Sequence, residues 1–448
     1  MKLLLKNSFI IIVFLSFFCF SAESVAFATL QYEEKAKRFV YYLSNEKYDS
    51  ATADFDKSVL SALPPEKLKE IWQSLQNQFG RFKAQGRTMI EESGIYQVYF
   101  ITCIFQNSSL DAKIVYKRNG QIAGLFFVPV KSEAVYKPPT YVNSKLFTEQ
   151  EVTIGAGEWI LPATFSIPKG KGPFPAVVLV HGSGPQDRDE TIGPNKPFAD
   201  IAWGLASKGI AVLRYEKRTK QYGVKISQEN IPITVNEETI DDALSAVSFL
   251  RKSEKINPRK VFVLGHSLGG MLAPRIGQRD LSIAGLIIMG GITRPLEDII
   301  IEQMNYIFLL DGKINDAEQN QLDNINKQIS RVKDPLLSSE ISPTELPFGV
   351  HAEYWLDLRK YDPAKSAENL LMPMLILQGE RDYQVTMDNF NGWKQRLITK
   401  KNVAFKVYPT LNHLFMDGIG KSTPDEYEKE GHVAEFVIED IAQWILKH

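Results

Sequence analysis

The run Lys260-Val261-Phe262-Val263-Leu264-Gly265-His266-Ser267-Leu268-Gly269-Gly270 decides how the rest of the 448-residue chain is read. Its first half is an apolar stretch, the pattern of a strand covered on both faces. Its second half is G-x-S-x-G opening a helix. So sharp a turn from strand to helix holds its central residue in a strained conformation and exposes the hydroxyl. Bulky flanks would collide, so glycine stands at Gly265 and Gly269. The pentapeptide alone is weak evidence. Between a buried strand and a helix it marks Ser267 as a nucleophile, and the helix N-terminus favours negative charge beside it.

A serine hydroxyl needs a base, and the base needs an acid to orient it. For this elbow the chain order is serine, acid, histidine. Of the six histidines, His181 and His266 precede the serine, His351 precedes any candidate acid and His448 is terminal. His413, in the loop Pro409-Thr410-Leu411-Asn412-His413 after the stretch Phe405–Tyr408, is the expected base. His432 is the alternative. The acid is expected after Met374–Leu377, in Gly379-Glu380-Arg381-Asp382. Asp382, further into the loop, is preferred to Glu380, whose simpler reading is a surface pair with Arg381. An oxyanion then needs two donors. The backbone N–H of Leu268 is one. The second is expected from His181-Gly182-Ser183-Gly184-Pro185, with the N–H of Ser183 first and that of Gly184 next.

Working outward, strand-like runs (Ala176–Val180, Ile210–Arg214, Val261–Leu264, Ala284–Met289, Met374–Leu377, Phe405–Tyr408) alternate with helical stretches at 196–207, 237–252, 268–278, 387–398 and 433–446. The alternation predicts an α/β unit over residues 140–448, a doubly wound and mostly parallel sheet with ligands at the carboxyl ends of its strands. Residues 292–366 interrupt it with helical stretches at 295–310 and 315–331, the mark of a helical cap insertion. Tyr306, Phe308, Tyr354 and Trp355 are candidates to wall a pocket there, although aromatics more often pack cores. Ahead of Pro138-Pro139, residues 29–135 predict a small α+β domain. Helical spacing at 31–45 and 64–79 precedes the strand patterns Thr88–Glu92, Tyr96–Gln106, Leu110–Lys117 and Ile122–Val130, with Arg118-Asn119-Gly120 as a hairpin turn.

At the start, Lys2 and Lys6 precede an apolar run from Phe9 to Phe20, then Ala26-Phe27-Ala28. This reads as a signal peptide over residues 1–28, cleaved near Ala28, hence a secreted or extracytoplasmic protein. The apolar run is too short for a comfortable membrane span, and no other stretch is a candidate. Hydrophobic residues at 44% and charged residues at 23% suffice for a sizeable core. A formal charge of −1 with no long basic run argues against a nucleic-acid partner. The small basic group Lys217, Arg218 and Lys220 reads as a solvated loop, and Asp187-Arg188-Asp189-Glu190 as a charged loop near the site mouth, with positioning of loops or binding of a cation as alternatives. There is no H-E-x-x-H, no Cys/His cluster and no G-x-x-x-x-G-K-[ST], so neither metal nor other cofactor is expected. Cys103, alone after signal cleavage, reads as a buried, inert thiol in a strand.

Residues 145–448 resemble the α/β-hydrolase superfamily, on His181–Pro185, Gly265–Gly270, Gly379-x-x-Asp382-x-x-Val385 and His413. Three further features look like bacterial EstD-type carboxylesterases. They are His181–Asp189, then Gly193-Pro194-Asn195-Lys196-Pro197-Phe198, and Arg214-Tyr215-Glu216-Lys217-Arg218. Those enzymes carry a small N-terminal domain, similar here to residues 31–130 and resembling the nuclear-transport-factor-like cone. The resemblance implies hydrolysis of small carboxylic esters with short acyl groups. A peptidase, acyl transferase or thioesterase using the same triad is the alternative, since one fold hosts all of these.

Overall fold

A computed structural model describes residues 32–93, 96–117, 119–130 and 136–448. The expected signal peptide and Arg118 of the hairpin turn lie outside the described residues. The chain parts into two compact units between Glu133 and Ala134.

In the first unit, α1 (residues 32–44), α2 (Tyr48–Thr52), α3 (Lys57–Ala62) and α4 (Pro65–Phe79) precede β1 (Phe82–Ser93), β2 (Tyr96–Phe105), β3 (Ser109–Tyr116) and β4 (Ile122–Pro129). The strands form an antiparallel sheet in the order β1-β2-β3-β4. Strand β1 begins at Phe82 rather than at the expected Thr88, because register shifts near Ala84 and Gln85 break the alternation that marks a strand. Trp72 of α4 fills the core, its ring 5.4, 5.5 and 5.9 Å from Phe82, Phe105 and Phe127. Cys103 is fully buried in the same core, and burial pushes its thiol up to about 12, so it is inert at neutral pH.

In the second unit eight strands run β5 (Phe147–Ile154), β6 (Leu161–Pro168), β7 (Phe174–Val180), β8 (Ala211–Tyr215), β9 (Ile256–His266), β10 (Leu286–Met289), β11 (Met374–Gly379) and β12 (Val403–Tyr408). Their order in the sheet is β12-β11-β10-β9-β7-β8-β6-β5. Strands β7 to β12 pair in parallel, and β6 and β5 add an antiparallel edge. The helices that position the site are α5 (Pro197–Ser207), α6 (Arg218–Gln221), α7 (Gly223–Gln228), α8 (Asp241–Lys252) and α9 (Leu268–Arg279). A π-helical turn, Asn236–Ile240, leads into α8. The cap insertion contributes α10 (Leu296–Phe308), α11 (Asp316–Lys333), α12 (Ala352–Leu358) and α13 (Pro363–Glu368). The unit closes with α14 (Met387–Leu397) and α15 (Glu435–Lys447).

Alternate residues of the central strands feed two cores. Val178, Val180, Val263, Leu286, Ile288 and Ile376 pack on the face of α8 and α9. Val177, Leu179, Phe262, Leu264, Ile287 and Leu377 pack on the face of α5 and α15. Each such side chain contributes about 1.5–3 kcal/mol by leaving water. The cap shares the first core through Ile299, Ile325, Ile329, Trp355 and Leu358. From β7 the chain passes outward to β8, then returns across to β9 on the other side of β7. The order therefore reverses between β7 and β9, and a crevice opens at such a switch point outside the strand ends.

Candidate active site

Ser267 stands at that switch point, between β9 and α9, with φ +54° and ψ −115°. This backbone region is strained for a residue with a side chain and is retained where the surroundings enforce it. The enforcement is visible. A Cβ on Gly265 would strike the Gly269 carbonyl, and one on Gly269 would strike the carbonyl of Val180, so only glycine lets the elbow close onto β7. Ser267 N–H donates to Met289 C=O at 2.9 Å, tying the elbow to the end of β10.

The next residue, Gly290, has φ +54° and faces the other two expected residues. A Cβ there would stand 3.3 Å from Asp382 Oδ2 and 3.4 Å from His413 Nδ1. His413 Nδ1 donates to Asp382 Oδ2 at 2.6 Å, and both side chains are buried. Asp382 Oδ1 accepts the N–H groups of Gln384 and Val385, each at 2.8 Å, and Gln378 Nε2 donates to Oδ2 at 3.3 Å. The carboxylate is thereby fixed, and His413 is left with Nε2 as its basic nitrogen. Asp382, not Glu380, meets the histidine; Glu380 is exposed. His432 lies elsewhere, with Nδ1 2.9 Å from Tyr136 Oη and 3.3 Å from Asp200 Oδ2.

His266, read only as part of the motif, links the elbow to His413. Its ring centroid lies 4.6 Å from that of His413, and its Nε2 donates to His413 C=O at 2.9 Å. Its Nδ1 donates to Glu190 Oε2 at 2.8 Å. The carbonyl takes an N–H from Nε2, and the carboxylate opposite Nδ1 favours the doubly protonated, charged ring. Burial acts to lower the His266 pKa, but the Glu190 charge and these bonds outweigh it and raise it. In return His266 holds the buried Glu190 below the usual carboxylate range, against the upward push of burial.

The loop after β7 lies against the elbow, since a Cβ on Gly182 would stand 3.1 Å from Ser267 Cβ. Gly182 N–H donates to Glu190 Oε1 at 2.7 Å, and Lys217 Nζ donates to Gly182 C=O at 2.8 Å. The N–H groups of Ser183 and Leu268 are donated to no group among the described residues. His181 is buried against Phe198 and Tyr215, and burial lowers it to about 4, so it is neutral.

One sequence reading needs correction and another is refined. The basic group is not a solvated loop. Lys217 is 1% exposed, and Arg218 is buried on Asp242, Nη2 to Oδ1 at 2.5 Å, with its guanidinium 5.1 Å over Trp159. Only Lys220 is exposed. Asp187–Glu190 is a charged loop whose side chains tie neighbouring segments together. Asp189 pairs with Arg214 and Lys196, Arg188 with Glu216 and Glu151, and Glu190 is buried as described. The cap aromatics divide. Tyr306 stacks on Tyr383, centroids 4.8 Å apart, and bonds Ser422 C=O. Tyr354 bonds Glu238, and Trp355 packs in the core. Among the described residues no group of three or more His, Cys, Asp or Glu is placed to hold a metal ion. No described helix is long and apolar enough to cross a membrane.

Comparison with known proteins identifies the family. The family described as serine aminopeptidase, S33, matches residues 173–418, and a family of unknown function, DUF3887, matches residues 36–125. Esterase EstD of Thermotoga maritima is 41% identical over 417 residues, spanning 93% of this chain and 96% of that protein. Among solved structures, Est1E from Butyrivibrio proteoclasticus is 16% identical with a TM-score of 0.43, covering 66% of this chain and 98% of that one. A Pyrococcus furiosus esterase is 18% identical with a TM-score of 0.42, covering 70% and 100%. With an α/β-hydrolase sheet, a serine elbow at its switch point and this degree of identity to EstD, the chain belongs to the EstD-type α/β-hydrolase esterases and is a carboxylic ester hydrolase.

Proposed function

We propose that Ser267, His413 and Asp382 act as a triad through an acyl-enzyme. Ser267 Oγ attacks the acyl carbon while His413 Nε2 takes its proton. The tetrahedral oxyanion is stabilised by the N–H groups of Leu268 and Ser183. As the carbon–oxygen bond breaks, His413 returns the proton to the leaving alkoxide. Water then repeats the sequence on the acyl-enzyme, releasing the acid and regenerating the serine. Asp382 stays ionised and holds the imidazole in the tautomer that leaves Nε2 basic. The observation that carries this reading is the buried 2.6 Å bond between Asp382 and His413, beside an elbow whose glycines leave no room for a Cβ.

The substrate class is a small ester with a short acyl group. Residues 292–366 wall the acyl pocket, and the chain is exported with its signal removed near Ala28. The test is a series of p-nitrophenyl esters of increasing acyl length, run beside Ser267→Ala. The expected outcome is serine-dependent turnover that peaks at short acyl chains. Turnover retained in Ser267→Ala would overturn the triad. The matched family carries an aminopeptidase name, so aminoacyl anilides belong in the same series, and faster serine-dependent cleavage of these than of esters would favour the peptidase reading.

A further inference from the structure

Lys217 is the least expected group near the site, and nothing in the proposed reaction uses it. Burying an ammonium group is costly unless it is paired and hydrogen-bonded. Lys217 is both. Its Nζ donates to Gly182 C=O at 2.8 Å and lies 3.2 Å from Glu238 Oε1. Glu238 is itself buried. It also accepts from Thr219 Oγ1 at 3.0 Å and from the hydroxyl of Tyr354 in α12 at 3.2 Å. Lys217 thus has a fixed anion behind it and a single backbone carbonyl in front.

That carbonyl belongs to the same peptide unit as the N–H of Ser183. The unit is not among the cis peptides, and in a planar trans peptide the C=O and N–H point in opposite directions. A cation held on the carbonyl therefore fixes where the N–H aims. It also polarises the amide, since hydrogen bonds in a chain strengthen one another in low-dielectric surroundings. The neighbouring peptide is fixed by Glu190 on Gly182 N–H, so Ser183 N–H is left as the undonated group of a peptide that cannot rotate.

Resting on the triad reading above, we propose that Lys217, anchored by Glu238, is a positioning residue that aims and polarises the Ser183 N–H toward the substrate oxyanion. The test is Lys217→Met, which keeps the volume of the chain and removes the donor. Sites are titrated to completion with a fluorophosphonate. The expected result is a fall of about 10- to 100-fold in kcat per titrated site, within the cost of losing a whole oxyanion donor. KM changes by less than about two-fold, because the interaction acts on the transition state. Inhibition by a trifluoromethyl ketone, whose adduct places an oxyanion at the same position, weakens in parallel. Lys217→Met leaves Glu238 buried without its cation and can fail to fold. The double variant Lys217→Met with Glu238→Gln removes both charges; it is expected to regain stability but not kcat. Recovery of kcat in the double variant would overturn the proposal, as would wild-type kcat and inhibition in Lys217→Met while Ser267→Ala is inactive. An active Ser267→Ala overturns the triad reading instead, so the two failures are distinct.

Discussion

The loops after β9 and after β7 stand side by side, yet they are held by different means. After β9 the backbone does the work: glycines at 265 and 269 let the chain close tightly, and Ser267 is forced to φ +54°. After β7 the work is done by charged side chains, Glu190 from further along the same loop on the N–H of Gly182 and Lys217 from beyond β8 on its carbonyl. A loop fixed by its own backbone tolerates no added atom. A loop fixed by charges depends on charge and therefore on pH.

The widest separation between the two comes from Ser267→Gly. Turnover should fall by about 10⁶-fold, the scale of losing a serine nucleophile. Stability should rise by about 1 kcal/mol, because glycine relieves the strained conformation. Chemical denaturation checks the second half, and an unchanged or lower stability would break the claim that the elbow is under backbone strain. Next is Asp382→Asn, which acts through His413 and touches neither loop. Steady-state kinetics should show a loss of about 10⁴-fold in kcat with the fold retained, as expected when the imidazole takes the wrong tautomer.

Gly269→Ala probes the backbone-held loop alone. Its Cβ meets the carbonyls of Val180 and His181, and a cost of about 3 kcal/mol is expected, at the upper end of overpacking. A variant with an unchanged Tm would show that the elbow can yield. The smallest effect belongs to Glu190→Gln in the loop held by charge. The raised pKa of His266 contributes stability that is full below pH 6.5 and lost as pH rises through its folded value. The lowered pKa of Glu190 contributes stability present above pH 4.5 and lost as pH falls through its folded value. The difference in Tm between wild type and Glu190→Gln should therefore be largest between pH 4.5 and 6.5 and shrink on both sides. A difference independent of pH would mean that the pair is not charged.

This contrast also explains what the sequence revealed. That Ser267, Asp382 and His413 would stand on loops at the carboxyl ends of strands was legible because each follows a strand, and the elbow needs a local pattern of glycines. Lys217 was misread, and the partner of Glu190 was not foreseen, because burial of a charged residue is decided by partners far along the chain, Gly182 and Glu238 for Lys217 and His266 for Glu190. Gly290 went unnoticed although Gly290-Gly291 at the end of an apolar run hinted at a close approach. Strands β5 and β6 also escaped. Most of β5 is exposed at the sheet edge, and β6 carries Thr164 and Ser166 inside, where they bond Glu151 and Glu149. Neither run resembles a buried parallel strand.

The chain leaves the sheet at Met289 and returns at Met374, on neighbouring strands paired in parallel. A crossover between such strands needs about a dozen residues. The much longer excursion here, α10 to α13, is therefore surplus to the connection it makes. Changes confined to its exposed surface leave the register of β10 against β11 intact, whereas α12 is tied to the sheet unit through Tyr354 on Glu238 and Asp357 on Arg275. If the proposed pocket wall is right, a change in the outer part of this excursion would alter which ester is accepted without altering the sheet that carries Ser267, Asp382 and His413.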